Sequence, residues 1–233
     1  YKDKNGEWAG FDIEFAQLIC DKLKLKLEIV SVTEENADIA LSTGKIDAIL
    51  MGYSISIERN KKMDFSKPYI NNKQVFVVNS SSMVTDISGL KGYILGVEKN
   101  SYAEDLIDKD TKFRKTLKLL KSYDNIATAM KNLVTNNGVD AILGDLVIVE
   151  EYIKKNPVNY RILDKSFWND YYGIAFKKGA GLLRERIDYE IDDLYKEGKI
   201  QEISKKYFGQ NIVIRNIPVL TDEELKEANN EVE

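Results

Sequence analysis

The sequence predicts an α/β fold, on three observations. Amphipathic helical patterns alternate with short apolar runs, as in FDIEFAQLICDKL before LKLEIV and NADIALS before the run Ile46 to Met51. Helix, strand, helix, strand in succession implies parallel pairing through crossovers. The same syntax occurs twice, because GKIDAILMG and GVDAILGD are near copies. Two similar units predict two lobes of similar design, and 233 residues suffice for two real cores.

The elements follow in order. YKDKNGEW is turn-like, and a helix is expected from about Phe11, followed by the strand LKLEIV. A second helix ends near Gly44, ahead of the strand Ile46 to Met51. QVFVV, from Gln74 to Val78, is a β run, SSSMVTDISGLKG a polar turn region, and YILGV, from Tyr93 to Val97, another strand. NSYAEDLI opens a helix with Ser101 as N-cap and Glu104 completing a capping box. KNLVTNNGVDAILGDLVIVEEYIKKN repeats helix, Gly, strand, helix. YYGIAFKKG is a strand, and LLRERIDYEIDDLYKEGKIQEISKKYFG a long amphipathic helical stretch broken at Gly198. NIVIRNIPVL is strand-like but interrupted by Pro218, and TDEELKEANNEVE reads as a solvated helix or frayed tail.

Composition excludes several functions. Hydrophobic residues make up 43% and charged ones 31%, an ordinary globular balance, and the net charge of −4 leaves no nucleic-acid footprint. No apolar run approaches the roughly 20 residues of a membrane span. With no histidine and one cysteine there is no Ser-His-Asp triad, no Cys-His pair, no His-based metal site and no intramolecular disulfide. No cofactor or metal is called for. Cys20, on a helical pattern, is expected to be a small buried hydrophobe. Ser88-Gly89-Leu90-Lys91 fits SxxK, but it precedes a strand instead of opening a helix, so no nucleophile is read there. The chain opens at Tyr1 without Met and reads as a piece whose leader has been removed.

Two junctions carry the chemistry. Gly52, Ser54 and Arg59 cluster past the strand ending at Met51, and Asn100, Ser101 and Tyr102 open a helix past Val97. Loops at the carboxyl ends of parallel strands are where α/β sheets bind ligands. A helix N-terminus favours an anion, and Arg offers a planar fork for a carboxylate. Asp145, after AILG, offers an anion for an ammonium. The set matches a zwitterion: α-carboxylate at Arg59 and the Ser101–Tyr102 amides, α-ammonium at Asp145, the Ser54 hydroxyl and the Gly52 carbonyl. Singly, each has a plainer reading: Arg59 on a solvated helix face, Ser54 in a turn, Asp145 as a cap.

Over Tyr1 to about Gly209 the chain resembles the amino-acid-binding receptors of ABC importers, solute-binding proteins of the type II periplasmic-binding fold. The marks are GxxxGFDIEFAQLI, TGKIDAILMGYSISIERNKKMDFSKPYI, GLKGYILGV, GVDAILGD and KEGKIQEISKKYFG, of which Gly44 to Tyr69 is the specific part. The resemblance implies two α/β lobes joined by two strands, crossing near Asn72–Val75 and Asn169–Ala175 and closing on ligand. The expected partition is 1–72 and 175–233 in lobe 1, 73–174 in lobe 2. It implies Arg59 on the α-carboxylate, and Ser54, Gly52 and Asp145 on the α-ammonium. Glu34 takes a position that is often aromatic, and Glu98 that of a side-chain subsite. Both either point to solvent or, facing the cleft, lean the preference toward arginine, lysine or ornithine. The implied partners are a free amino acid and an ABC permease, the protein being a monomer with no enzymatic step. The implied place is the periplasm or, lipid-anchored, the outer face of a Gram-positive membrane. Relatives of this fold also include dehydratases of cyclic acids, where Glu34 or Glu98 would serve as the acid, and sensory ectodomains. Such receptors begin with a strand and a Pro-Phe loop ahead of the position of Tyr1. Without a replacement, which NIVIRNIPVL is one candidate to supply, lobe 1 is expected to expose unpaired strand edges.

Overall fold

The computed structural model describes the backbone of residues 1–230, and their side chains except those of 165–167 and 227–230. The elements are α1 (Phe11–Leu23), α2 (Glu34–Ser42), β1 (Ala48–Ile49), α3 (Ile57–Lys62), β2 (Met63–Phe65), β3 (Ile70–Asn79), β4 (Ile94–Glu98), α4 (Tyr102–Lys109), α5 (Thr111–Thr116), β5 (Leu119–Tyr123), α6 (Ile126–Val134), β6 (Ala141–Asp145), α7 (Leu146–Lys155), β7 (Tyr160–Tyr172), β8 (Ala175–Lys177), α8 (Gly181–Lys196), α9 (Lys199–Phe208) and α10 (Asp222–Asn230). The chain divides into two units, one of Tyr1–Asn71 with Tyr171–Glu227 and one centred on Asn72–Asp170.

The second unit holds a five-stranded sheet in the order β5-β4-β6-β3-β7. β4 pairs in parallel with β5 and β6, as the repeated helix–strand syntax predicts, and β3 runs antiparallel to β6 with Gln74 opposite Asp145. Successive strand residues point to opposite faces, and both faces of β3 are apolar. Phe76 and Val78 pack with Leu95, Val97 and Leu143 beneath Tyr102, Leu106 and Ile107 of α4. Val75 and Val77 pack with Ile142 beneath Ala129, Met130 and Leu133 of α6. Gly96 faces the second of these layers. A Cβ added there would stand 2.7 Å from Ile142 Cδ1 and 2.9 Å from Val139 Cγ2. Gly96→Val is therefore expected to cost about 3 kcal/mol by overpacking, read as a fall in the urea midpoint at unchanged m-value. A parent-like midpoint would show that the sheet can open at β4.

The first unit departs from the parallel expectation. Its sheet is three-stranded and antiparallel, β1-β8-β2, and only two residues of the Ile46 to Met51 run pair. LKLEIV forms no strand, and Leu25, Ile29 and Val30 are exposed. An extended segment without a hydrogen-bonded neighbour is not a strand, however β-prone its residues. NIVIRNIPVL forms no strand beside it. Val213 makes a single bridge to Ile70, while Ile217 and Leu220 join the core of Ala37, Leu41, Ile49, Tyr53 and Met63. Arg215 fixes this segment to α8. Its side chain is 4% exposed, and the guanidinium binds Asp188 at 3.1 Å and Asp192 at 2.6 Å. α1 packs through Phe11 and Phe15 against Tyr69, and through Phe11 against Phe208. The break between α8 and α9 falls at Gly198, whose φ of 77° suits glycine. Cys20 is half-buried, not fully buried, and partial burial with neighbouring Asp21 pushes its thiol pKa up. α10 realises the helix expected in the tail, and residues 231–233 lie outside the described ones.

Candidate functional site

Arg59 is the third residue of α3, a short helix that Ser56 caps by accepting the Arg59 N–H at 3.2 Å. It is 7% exposed, so the solvated-face reading is corrected. Its Nη1 donates to the Ser54 carbonyl at 3.0 Å, and its guanidinium carbon stands 3.8 Å from the centre of the Tyr53 ring. Tyr53 in turn donates to Asp38 at 2.8 Å. Ring, carbonyl and helix together fix the plane of the guanidinium. Nη2 donates to Glu34 Oε2 at 3.0 Å. Glu34 therefore does not point freely to solvent. It faces the guanidinium that the resemblance assigns to a ligand carboxylate.

Gly52 and Ser54 lie beside Arg59 in the same unit. Gly52 has a φ of 63°, and a Cβ there would meet the Tyr172 ring at 3.2 Å, so both backbone and space demand glycine. Its N–H donates to the carboxyl of Asp12, which also accepts from the Tyr69 hydroxyl at 3.3 Å. Ser54 is buried and bridges to Tyr172. Burial pushes the Asp12 pKa up to about 6, against the lowering effects of the Tyr69 hydroxyl, the Gly52 N–H and the terminal ammonium.

In the other unit Asp145 ends β6 and precedes α7 without capping it through its side chain. Its Oδ1 accepts from Asn72 Nδ2 at 2.6 Å and from Gln74 Nε2 at 3.0 Å. Glu98, at the end of β4, is half-buried and accepts from the Ile126 N–H at 3.2 Å, at the start of α6. Burial raises its pKa, the Ile126 bond opposes, and the charge of Asp145 adds to the rise. Glu98 is therefore no solvated side chain, and it lies within the field of Asp145. Ser101 caps α4 by accepting the Glu104 N–H at 3.3 Å. Glu104 reaches back to the N–H of Asn100, one residue before the capping-box position. The Ser101 N–H donates to the Glu98 carbonyl at 3.3 Å. Tyr102 is buried in the core beneath α4.

Sequence reasoning missed Tyr53, Asp38, Asp12, Asn72, Gln74 and Asp170. For Asn72 and Gln74 a signal existed: two amides spaced by two ahead of Phe76 place polar groups on an otherwise apolar strand face. Among the described residues no group of three or more His, Cys, Asp or Glu is placed to hold a metal, and no helix is long and apolar enough to cross a membrane. A hollow of about 310 Å³ in the second unit, lined by Lys131, Thr135, Tyr152 and Asn156, shares none of these site residues.

The first unit thus holds a buried arginine, and the second an aspartate held by two side-chain amides. The chain belongs to the bacterial extracellular solute-binding proteins, family 3, whose model matches residues 1–210. It is 26% identical over 211 residues to the putative ABC transporter arginine-binding protein 2 of Escherichia coli K12, covering 88% of this chain and 84% of that protein. It is also similar to an ABC uptake transporter substrate-binding protein from Streptococcus pneumoniae solved with bound histidine. That structure has a TM-score of 0.87 and 28% identity, over 92% of this chain and 89% of that one. A third likeness is to an ancestral amino-acid-binding protein described as a precursor of cyclohexadienyl dehydratase. Its TM-score is 0.81 and its identity 28%, over 89% of each chain.

Proposed function

We propose that the protein binds a free L-amino acid outside the cytoplasm and delivers it, as a monomer, to an ABC permease. Arg59 takes the α-carboxylate with help from the Ser101 and Tyr102 amides. Asp145, the Ser54 hydroxyl and the Gly52 carbonyl take the α-ammonium. The observation that carries this reading is the burial and fixed plane of Arg59, which suit bidentate binding of a carboxylate. Function needs no covalent step. Ligand favours whichever arrangement of the two units binds it better, and the permease reads that arrangement. Lipid anchoring or free residence in a periplasm both fit this role.

The preference leans toward arginine, lysine or ornithine. Support comes from Glu98, whose carboxylate feels the charge of Asp145, from a relative named as arginine-binding, and from a structural neighbour solved with bound histidine. Glu34, paired with Arg59 at 3.0 Å, would add its charge to that preference if it turned to the ligand. Calorimetry against the common amino acids tests the proposal, with Asp145→Ala as the variant. A single class of amino acid should bind the parent, and the variant should lose about a hundredfold, since it strands the ligand ammonium. Parent-like affinity in Asp145→Ala would remove the aspartate from the site.

A second reading is a cleft enzyme of the dehydratase kind, favoured by the raised pKa of Glu98, which suits a general acid. A time course with a cyclic hydroxy acid distinguishes the two, because only an enzyme accumulates product.

A further inference from the structure

We infer that Asp170 is a specificity-determining residue behind Asp145, placing a second negative charge and a fixed pair of amides at the back of the ammonium site. The inference rests on the ammonium role proposed for Asp145. Asn72 Nδ2 donates to Asp145 Oδ1 at 2.6 Å and to Asp170 Oδ2 at 2.7 Å. Gln74 Nε2 donates to the same two oxygens at 3.0 and 2.8 Å. Both carboxylates thus share the same two amide nitrogens as donors.

The arrangement is held from behind. Asn72, Gln74 and Asp170 are 1%, 0% and 2% exposed, while Asp145 keeps partial access to solvent. An ionised carboxylate only accepts hydrogen bonds, so two of them dictate that both amides present nitrogen and not oxygen. The Asn72 oxygen turns away and accepts the Val147 N–H at 3.3 Å, in the first turn of α7. The Gln74 oxygen is buried with no hydrogen-bond partner among the described residues. A glutamine that leaves its own acceptor unsatisfied is oriented by the carboxylates it serves.

The consequence is a site with two charges and one accessible face. A carboxylate at this depth is weakly screened and adds to the attraction for a cation bound on Asp145. It gives nothing to a neutral group in the same place. Asp170 therefore sharpens the choice of ammonium over hydroxyl without touching the ligand. It is also the last residue of its unit before the chain returns to the other, and Asn72 is the first. The residues that orient Asp145 are thus those at both chain crossings.

The test compares the preferred amino acid with its α-hydroxy analogue by calorimetry on the parent and on Asp170→Asn. Asparagine keeps the size and one acceptor oxygen but no charge. Affinity for the amino acid should fall about tenfold while that for the hydroxy acid stays level or rises, so the ratio collapses. Loss of affinity for both ligands in equal proportion would mean a structural role only and overturn the inference. An unchanged ratio would do the same and would leave the receptor reading standing. No binding of any amino acid by the parent would overturn both. Should Asp170→Asn not fold, Gln74→Met removes one shared amide and its orphaned oxygen together. It too should lower the amino-to-hydroxy ratio, and a parent-like ratio would count against the inference.

Discussion

Arg59→Ala is expected to weaken amino-acid binding by roughly a thousandfold. The ligand carboxylate loses its only assigned cation, and removing one partner of a desolvated charge pair costs about 3–5 kcal/mol. The same change strips three contacts from the ligand-free protein: the bond to the Ser54 carbonyl, the bond to Glu34 and the stack on Tyr53. Some loss of stability therefore accompanies the loss of binding, of order 1–3 kcal/mol for a charged hydrogen bond. Arg59→Lys separates the two effects. A lysine keeps the charge near Glu34 but cannot present a planar fork, so stability should largely return while affinity stays well below the parent. Calorimetry with thermal unfolding on all three proteins measures both quantities. Undiminished affinity in Arg59→Ala would place the carboxylate elsewhere.

The Glu34 contact bears on how tightly such a receptor binds. A ligand carboxylate approaching Arg59 meets a guanidinium already shared with an internal carboxylate 3.0 Å from Nη2. Either the ligand uses the remaining N–H groups or Glu34 gives way. In both cases the net gain is smaller than for an unpaired arginine, because one charge-assisted bond is exchanged for another.

The parts of this site that could be read from the sequence are those fixed by local chemistry. Ser101 is a cap because Ser followed by Glu three residues on satisfies orphan N–H groups, and the structure has it so. The strand QVFVV and the helix break at Gly198 follow from periodicity and from glycine. The pairings that stayed hidden join residues far apart in the chain. Glu34 meets Arg59 across 25 positions, and Asp170 meets Asn72 across 98. No local pattern encodes such pairs, since only the tertiary fold decides which polar group receives which donor. The strand expected at LKLEIV failed for a related reason. Its residues suit a sheet, but pairing is a property of two segments, and no described segment pairs with it.

Asp12→Asn is expected to abolish a pH dependence of stability that the parent shows between about pH 4 and 6. Asp12 is the second residue of α1, where the helix end alone would favour its charge. Burial outweighs that, and the carboxyl titrates at about 6 instead of the ordinary 3.8. The folded protein therefore holds a proton through this window that the unfolded chain releases. Stability linked to Asp12 is full below the unfolded value and falls as pH rises through the folded one, by about 3 kcal/mol at most. Asparagine fills the same space, and its carbonyl can still accept from Gly52 N–H and the Tyr69 hydroxyl. The variant should match the parent near pH 4 and exceed it at pH 7.5, with a urea midpoint that no longer falls across the window. Because Gly52 keeps its acceptor, ligand affinity at neutral pH should change little. A parent and variant whose midpoints fall in parallel would assign the titration to another carboxyl. A variant that gains stability but loses ligand would show that the charge on Asp12 serves the ammonium site through Gly52, and that the protein gives up stability at neutral pH to keep it.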